Sequence, residues 1–317
     1  MGLLNFLKDT IGIDPGSKHL RIIKDNELVF NEPAQLSFDK TLKVVTGLGN
    51  SIKLTDNNVT INPVDCTIND FHAFEMLLRG AVKKTISSNS IFPKTYKLYF
   101  CIPTSTTEIE KRAYRDSAEH VGAIEVHMIH QSCCSAIGLN ILFEKKHFML
   151  IDFGFSKIEM TVFINSDPIS VGVIRMGTSK IYRLIKNFLK RKYKIHLNDI
   201  EIESLLSELK TVEDEITIQY IVVKTHEIHQ LLDNFFHIVN DEFIEAMERV
   251  DLNQIEKAKS TGIYFTGGGS TIDLLRDKIM CNHSIKRTVS QNPLLDNING
   301  VKKVITQEDK FKKYTMV

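Results

Sequence analysis

The residues best suited to chemistry lie in three glycine corners, each set directly after a short apolar run. The central one is in His147 to Phe163: Phe148 to Ile151 is apolar, Asp152-Phe153-Gly154-Phe155-Ser156-Lys157 makes a corner, and Ile158, Met160, Val162 and Ile164 then alternate with polar residues. That pattern predicts strand, tight turn and strand with one buried face. A carboxylate ending a buried strand, beside a glycine that lets the backbone approach a ligand, suits a magnesium-phosphate site. The first corner, Gly12-Ile13-Asp14-Pro15-Gly16-Ser17, and the third, Thr266-Gly267-Gly268-Gly269-Ser270, repeat the arrangement near the two ends of the chain. Corners so widely spaced point to one nucleotide held between two lobes.

The elements that must position these corners follow from periodicity. Asp14 to Phe30 predicts strands joined by a hairpin at Lys24-Asp25-Asn26, broken by Asn31-Glu32-Pro33. Residues 39–62 are polar and strand-like, and Phe71, Phe74, Leu77, Leu78 and Ala81 share a helical face. Leu98 to Ile102 is a buried strand ended by Pro103, after which Ser105 and Glu108 suit a capping box for a helix through His120. His130 to Leu142 predicts a helix of small residues able to approach a neighbour closely. Further helices are expected around Ile181 to Leu189, over Ile200 to Leu209 and over Thr225 to Val250, with one short strand at Ile216 to Val223. The basic run Lys186, Lys190, Arg191, Lys192 and Lys194 fits a solvated helix C-terminus better than a nucleic-acid patch.

Composition bounds the function. A chain of 317 residues with 43% hydrophobic and 25% charged residues can bury the cores of two lobes, and a net charge of +1 gives no general pull toward nucleic acid. The five cysteines lack paired metal spacing and fit reduced thiols in a cytosolic setting. No apolar run reaches the roughly 18 residues of a membrane span. Residues 1–12 are nevertheless amphipathic on a helical wheel, with Leu3, Leu4, Leu7 and Ile11 on one face and Phe6 on its flank. Two readings stay open for them: a terminus packed on the body, or a weak membrane-surface anchor strengthened by many linked copies.

Several blocks together resemble the MreB family of bacterial actins over nearly the whole chain. They are Leu28 to Pro33, Cys101-Ile102-Pro103 with Thr107 to Asp116, Ser135-Ala136-Ile137-Gly138, Arg191-Lys192-Tyr193 and Thr266 to Gly269. The resemblance implies an α/β, actin-like two-lobed fold of duplicated ribonuclease H-like domains with a central nucleotide cleft. Lobe I would span residues 13–140 with a small subdomain at 39–62, and lobe II residues 141–317 with one at 209–225. ATP and Mg would be the cofactors. Asp14, Gly16 and Ser17 would form one phosphate corner, Asp152 and Gly154 the other, and Gly267, Gly268, Gly269 and Glu203 would face the nucleoside. Asp14 and Asp152 would hold the metal through water.

The resemblance also implies self-assembly into protofilaments at the inner face of the cytoplasmic membrane, in cell shape or intracellular organisation. Leu3, Leu4, Phe6 and Leu7 would supply the membrane contact, and other cytoskeletal or membrane proteins are possible partners. Three departures bear on activity. Phe155, Ser156 and Lys157 stand where the family has further glycines and threonine, so Lys157 either compensates the terminal phosphate or occupies the phosphate or Mg position itself. Gln131 falls where the family has a glutamate that positions the attacking water; eukaryotic actins use glutamine there, so the resemblance implies slow hydrolysis. Gly177-Thr178-Ser179-Lys180 replaces a second glycine and acidic residues. The alternatives are a nucleotide-independent actin-like scaffold or adaptor, and a small-molecule kinase of the same superfamily, for which no further catalytic carboxylate is evident.

Overall fold

A computed structural model describes residues 8–53, 55–85, 95–209, 214–280 and 284–317. The chain divides into two compact units, Met1–Leu142 with Leu295–Val317, and Phe143–Leu294. Lobe II was expected to run to the C-terminus, but the last 23 residues return to the first unit.

The first unit opens with β1 (Lys8–Pro15), β2 (His19–Lys24) and β3 (Glu27–Pro33). The β2–β3 hairpin turns on Asp25 and Asn26, both at positive φ, where short polar side chains are tolerated. β3 continues through Pro33 because it is the edge strand of its sheet, and an edge position can lack a backbone donor without losing a ladder bond. β1 also revises the N-terminal expectation. Ile11 belongs to this strand, paired with Lys24 on one side and Leu98 on the other, and is fully buried, so no helical face reaches it. Leu3, Leu4, Phe6 and Leu7 lie outside the described residues.

β4 (Leu36–Asp39), β5 (Val45–Leu48) and β6 (Asn58–Ile61) form a separate three-stranded antiparallel sheet, within which most of residues 39–62 fall. A two-residue ladder of β7 (Val64–Asp65) and β8 (Thr67–Ile68) leads to α1 (Phe71–Thr85), which buries Phe74, Leu77, Leu78 and Ala81 on one face. Then come β9 (Thr95–Ile102), α2 (Glu108–His120), β10 (Ala123–His130), α3 (Gln131–Gly138) and α4 (Leu142–Lys145). The capping box of α2 is Thr107 with Glu110, not Ser105 with Glu108. The Thr106 amide donates to the Pro103 carbonyl at 3.1 Å, so a turn occupies 103–106 and the helix starts only after it.

In the second unit β11 (Phe148–Phe153), β12 (Ile158–Ile164) and β13 (Asp167–Ile174) form an antiparallel meander, followed by α5 (Thr178–Tyr193) and α6 (Asp199–Glu208). β14 (Glu215–Ile218) and β15 (Ile221–Lys224) make a hairpin where one strand was expected. Its turn uses Gln219 and Tyr220 at positive φ, residues that carry none of the usual turn signals. α7 (Thr225–Glu248), α8 (Leu252–Thr261), β16 (Ile263–Thr266), α9 (Asp273–Asp277) and β17 (Arg287–Val289) complete the unit, whose five-stranded sheet has the order β13-β12-β11-β16-β17. All seven residues of β12 are buried, so both of its faces are covered. One face of β11 and β12 packs on Phe235, Phe236, Val239 and Phe243 of α7.

α10 (Asp296–Thr306), α11 (Glu308–Phe311) and β18 (Thr315–Met316) then rejoin the first unit, with β18 pairing against β10 to give the sheet order β18-β10-β9-β1-β2-β3. The small residues of α3 admit α10 at close range, as their composition predicts. A Cβ on Gly138 would lie 2.1 Å from the Asp296 carbonyl oxygen, and one on Gly300 would lie 1.9 Å from that of Cys134.

Candidate functional site

In the first unit β1, β9 and β10 are parallel, so the ends of all three strands share one edge of the sheet. Asp14 lies at the end of β1, and Gln131 opens α3 directly after β10, with β9 lying between those two strands. Two strand spacings of about 4.8 Å each separate their strands. Ligands of α/β sheets gather at this carboxyl edge. Gly16 follows Asp14 in a turn so tight that a Cβ there would lie 2.9 Å from the His19 carbonyl oxygen, and the Asn62 amide clamps the carbonyl of Ser17. At α3 the Ser132 amide donates to Thr104 Oγ1 at 3.1 Å, satisfying one of the donors that a helix start leaves open.

Asp14 carries a partner that the sequence did not reveal. It sits opposite Arg21 in the β1–β2 ladder, and Arg21 Nη1 lies 3.3 Å from its Oδ2, with both side chains largely buried. The signal was present only in the pairing register, which depends on the turn at 16–18.

The second unit repeats the edge. β11 and β16 are parallel and place Asp152 beside Thr266, so the Asp152 carboxylate meets Gly267, where a Cβ would lie 2.4 Å from Oδ1. Gly267 has a φ of 82°, and its amide donates to the Pro293 carbonyl at 2.9 Å. Gly269 is needed for a different reason: a Cβ there would run into the Phe153 ring at 2.4 Å. Gly268, half-buried, keeps the most space, its nearest obstacle being the flexible end of Leu294 at 3.2 Å. The amides of Gly268 and Gly269 open a short 3₁₀ turn, where the first donors have no partner within the turn and can meet a phosphate or ribose.

The corner after Asp152 is closed by the Gly154 amide donating to the Lys157 carbonyl at 2.9 Å. Phe155 packs toward the hydrophobic core of its own unit. The start of α5 is docked onto the same corner: the Thr178 amide donates to the Gly154 carbonyl at 3.2 Å and the Ser179 amide to that of Phe155 at 2.9 Å. Gly177 is required there, since a Cβ would lie 2.4 Å from the Phe155 oxygen. The 154–155 corner therefore seats the start of this helix. From α5 the Tyr182 hydroxyl donates to Glu203 Oε1 of α6 at 2.7 Å, and burial together with that carboxylate pushes the phenol above its ordinary range. Glu203 is thereby held half-buried with a defined orientation.

Lys157 is not a free cation at the corner. Its Nζ lies 2.7 Å from Glu159 Oε2, with side-chain exposures of 10% and 3%. Glu159 stands directly opposite Asp152 in the β11–β12 ladder, so the two carboxylates share one face of the sheet, and Lys157 precedes Glu159 by two residues. Glu159 had been expected on a solvent face of β12.

These geometries decide how the expected cofactors fit. The glycine corners at the carboxyl edges fit a nucleotide's phosphates and sugar. Each carboxylate, taken in its own unit, fits a magnesium ion poorly: Asp14 is already matched by Arg21, and Lys157 brings a fixed positive charge to the face that carries Asp152 and Glu159. Among the described residues no group of three or more His, Cys, Asp or Glu is placed to hold a metal directly.

Two sheets, each ending in a carboxylate beside a glycine turn, define an actin-like protein. Among solved structures the chain is similar to MreB 5 of Spiroplasma citri bound to AMPPNP, with a TM-score of 0.83, 19% identity, and 96% of this chain and 98% of that one covered. It also matches a MamK double helical filament with a TM-score of 0.76, 14% identity, and coverage of 95% and 99%. The chain belongs to the MreB/Mbl family, whose model matches residues 8–313. Its curated relatives include the cell shape-determining proteins Mbl of Bacillus subtilis and MreB of Escherichia coli, each 25% identical. The alignments cover 91% and 94% of this chain, and 93% and 94% of those proteins.

Proposed function

We propose that the chain is a cytoskeletal protein that binds adenine nucleotide and polymerises into protofilaments serving cell shape or intracellular organisation. The observation that carries this reading is the Asp152 carboxylate set against Gly267 at the carboxyl edge of β11 and β16, in a chain of the MreB/Mbl family. The similar MreB 5 structures bound to AMPPNP and to ADP support nucleotide binding, and the MamK filament supports self-association. Asp14, Gly16 and Ser17 would hold phosphate from the first unit. Asp152 and Gly154 would do so from the second, with Gly267 to Gly269 and Glu203 at the nucleoside. Gln131, at the start of α3, would orient the attacking water, and with no carboxylate in that position hydrolysis is slow and times assembly. Light scattering and electron microscopy with ATP, with ADP and without nucleotide, alongside phosphate release, test this. Filaments that need ATP and release phosphate slowly support it, and the absence of assembly in all three conditions would sink it.

A second reading, a nucleotide-independent scaffold, draws on the buried Lys157–Glu159 pair, which leaves less positive charge for phosphates. Equal assembly with and without nucleotide would favour it. Membrane attachment through Leu3, Leu4, Phe6 and Leu7 is tested by removing residues 1–7, which leaves all of β1 in place. Loss of liposome binding with assembly retained is expected, and retained binding would exclude these residues as the anchor.

A further inference from the structure

We infer that nucleotide binding by this chain does not depend on a divalent metal, because two side-chain cations already supply the positive charge that a metal would bring to the carboxylates. The inference rests on the proposed nucleotide reading. A metal ion at a phosphate site does two things: it relieves repulsion between the phosphates and the acidic residues, and it ties the two together through its waters. In each unit the first of these tasks has a resident cation. Arg21 lies 3.3 Å from Asp14 at the end of β1, and the hairpin register sets the two directly opposite, so the pairing is built into the sheet. Lys157 lies 2.7 Å from Glu159, and Glu159 faces Asp152 across the ladder, so one ammonium sits on the face that carries both acids.

The two pairs arise independently, in different units and different ladders: Arg21 is paired with the strand-end carboxylate Asp14 itself, and Lys157 with Glu159, the cross-strand neighbour of Asp152. Cross-strand neighbours lie roughly 4.5–5.5 Å apart at Cβ, so Asp152 and Glu159 would repel each other without a cation close by. A dication brought to either corner would meet a like charge already held in that unit, Arg21 in the first and Lys157 in the second. An ammonium also has three donors, and Glu159 takes one of them. The substitution of a glycine-rich turn by Phe155-Ser156-Lys157 thus has a chemical consequence: Phe155 turns to the core, and Lys157 brings the charge.

The test is calorimetric titration of the full chain with ATP, in the presence of Mg²⁺ and then in EDTA. The inference predicts affinities within about threefold of each other, and a second pair of titrations with ADP should behave alike. Tighter binding by tenfold or more with Mg²⁺ would overturn the inference and leave the nucleotide reading standing, whereas no heat of binding in either condition would overturn both. Lys157→Thr and Arg21→Leu, checked for folding by thermal melting, should each make binding Mg²⁺-dependent. Metal-independent binding that survives in the two variants combined would overturn the assignment of these cations.

Discussion

At the scale of the residue, the side chains that matter most are those whose charges are matched inside the protein. Glu159 is 3% exposed and has Lys157 as its partner, so removing the carboxylate leaves an ammonium in a poorly solvated place. Glu159→Gln should destabilise the chain by about 3 to 5 kcal/mol, the usual cost of breaking a buried pair on one side. Lys157→Met with Glu159→Leu should regain most of that loss, because neither charge is then left alone; urea denaturation of the two variants makes the comparison. His127 offers a residue-scale test in pH. It stacks on Tyr99 with ring centroids 4.6 Å apart, and burial, then the Lys97 ammonium, hold its pKa below the ordinary 6.5, against the weaker pull of Glu125 and Glu308. A histidine more acidic in the folded state binds its proton more readily when unfolded. The stability it contributes is therefore complete above about pH 6.5 and is lost as the pH falls through the folded-state value. Melting temperatures should drop on acidification from neutral to about pH 5. His127→Gln should shallow that drop without abolishing it, since His19 and His229 are also shifted down by burial.

Elements are where the reading of the sequence and the structure meet and part. The strand, corner and strand of residues 148–164 was legible because apolar continuity, a glycine turn and alternation all agree there. The close approach of α3 to a neighbour was legible from its small residues, although only the structure identifies α10 as that neighbour. Burial of Glu159 was not legible, because a polar residue in an alternating strand reads as solvent-facing whether or not another layer covers it. The Asp14–Arg21 and Lys157–Glu159 pairs depend on ladder register, which a one-residue change in a turn would alter. The turn at Gln219-Tyr220 carries no glycine, asparagine or aspartate to announce it. The seating of α5 on the second corner belongs at this scale too. Gly177→Ala would force a Cβ to within 2.4 Å of a backbone oxygen, so the helix must shift and the amide donations from Thr178 and Ser179 must lengthen. Since Tyr182 on the same helix orients Glu203, ATP affinity should fall together with thermal stability. Tyr182→Phe should reduce affinity with a smaller loss of stability, and titration beside melting separates the two outcomes.

For the whole molecule, the consequential feature is the return of the chain to its first unit. Ile298, Val301, Val304 and Phe311 are buried, Lys303 binds the carbonyls of Ile137 and Gly138 at 3.1 and 2.6 Å, and Lys97 holds Glu308 at 2.7 Å. β18 also covers the outer edge of β10. Nothing in the periodicity of residues 295–317 says which sheet they join, which is why a division at about residue 140 was the natural expectation. The consequence is a nested arrangement: the second unit is an insertion in the sequence of the first, and its own sheet and core come entirely from 143–294. A fragment of residues 143–294 should therefore fold by itself, with a cooperative melt. Residues 1–142 alone should not, because α3 and β1 lose the helix packed against Gly12 and Gly138 and expose that apolar surface. Joining 1–142 to 295–317 through a short glycine-serine linker should restore a folded unit. Circular dichroism and amide-exchange protection of the three fragments test the arrangement. A cooperative melt for 1–142 without the return segment would show that the C-terminal helices cover a finished unit instead of completing its core.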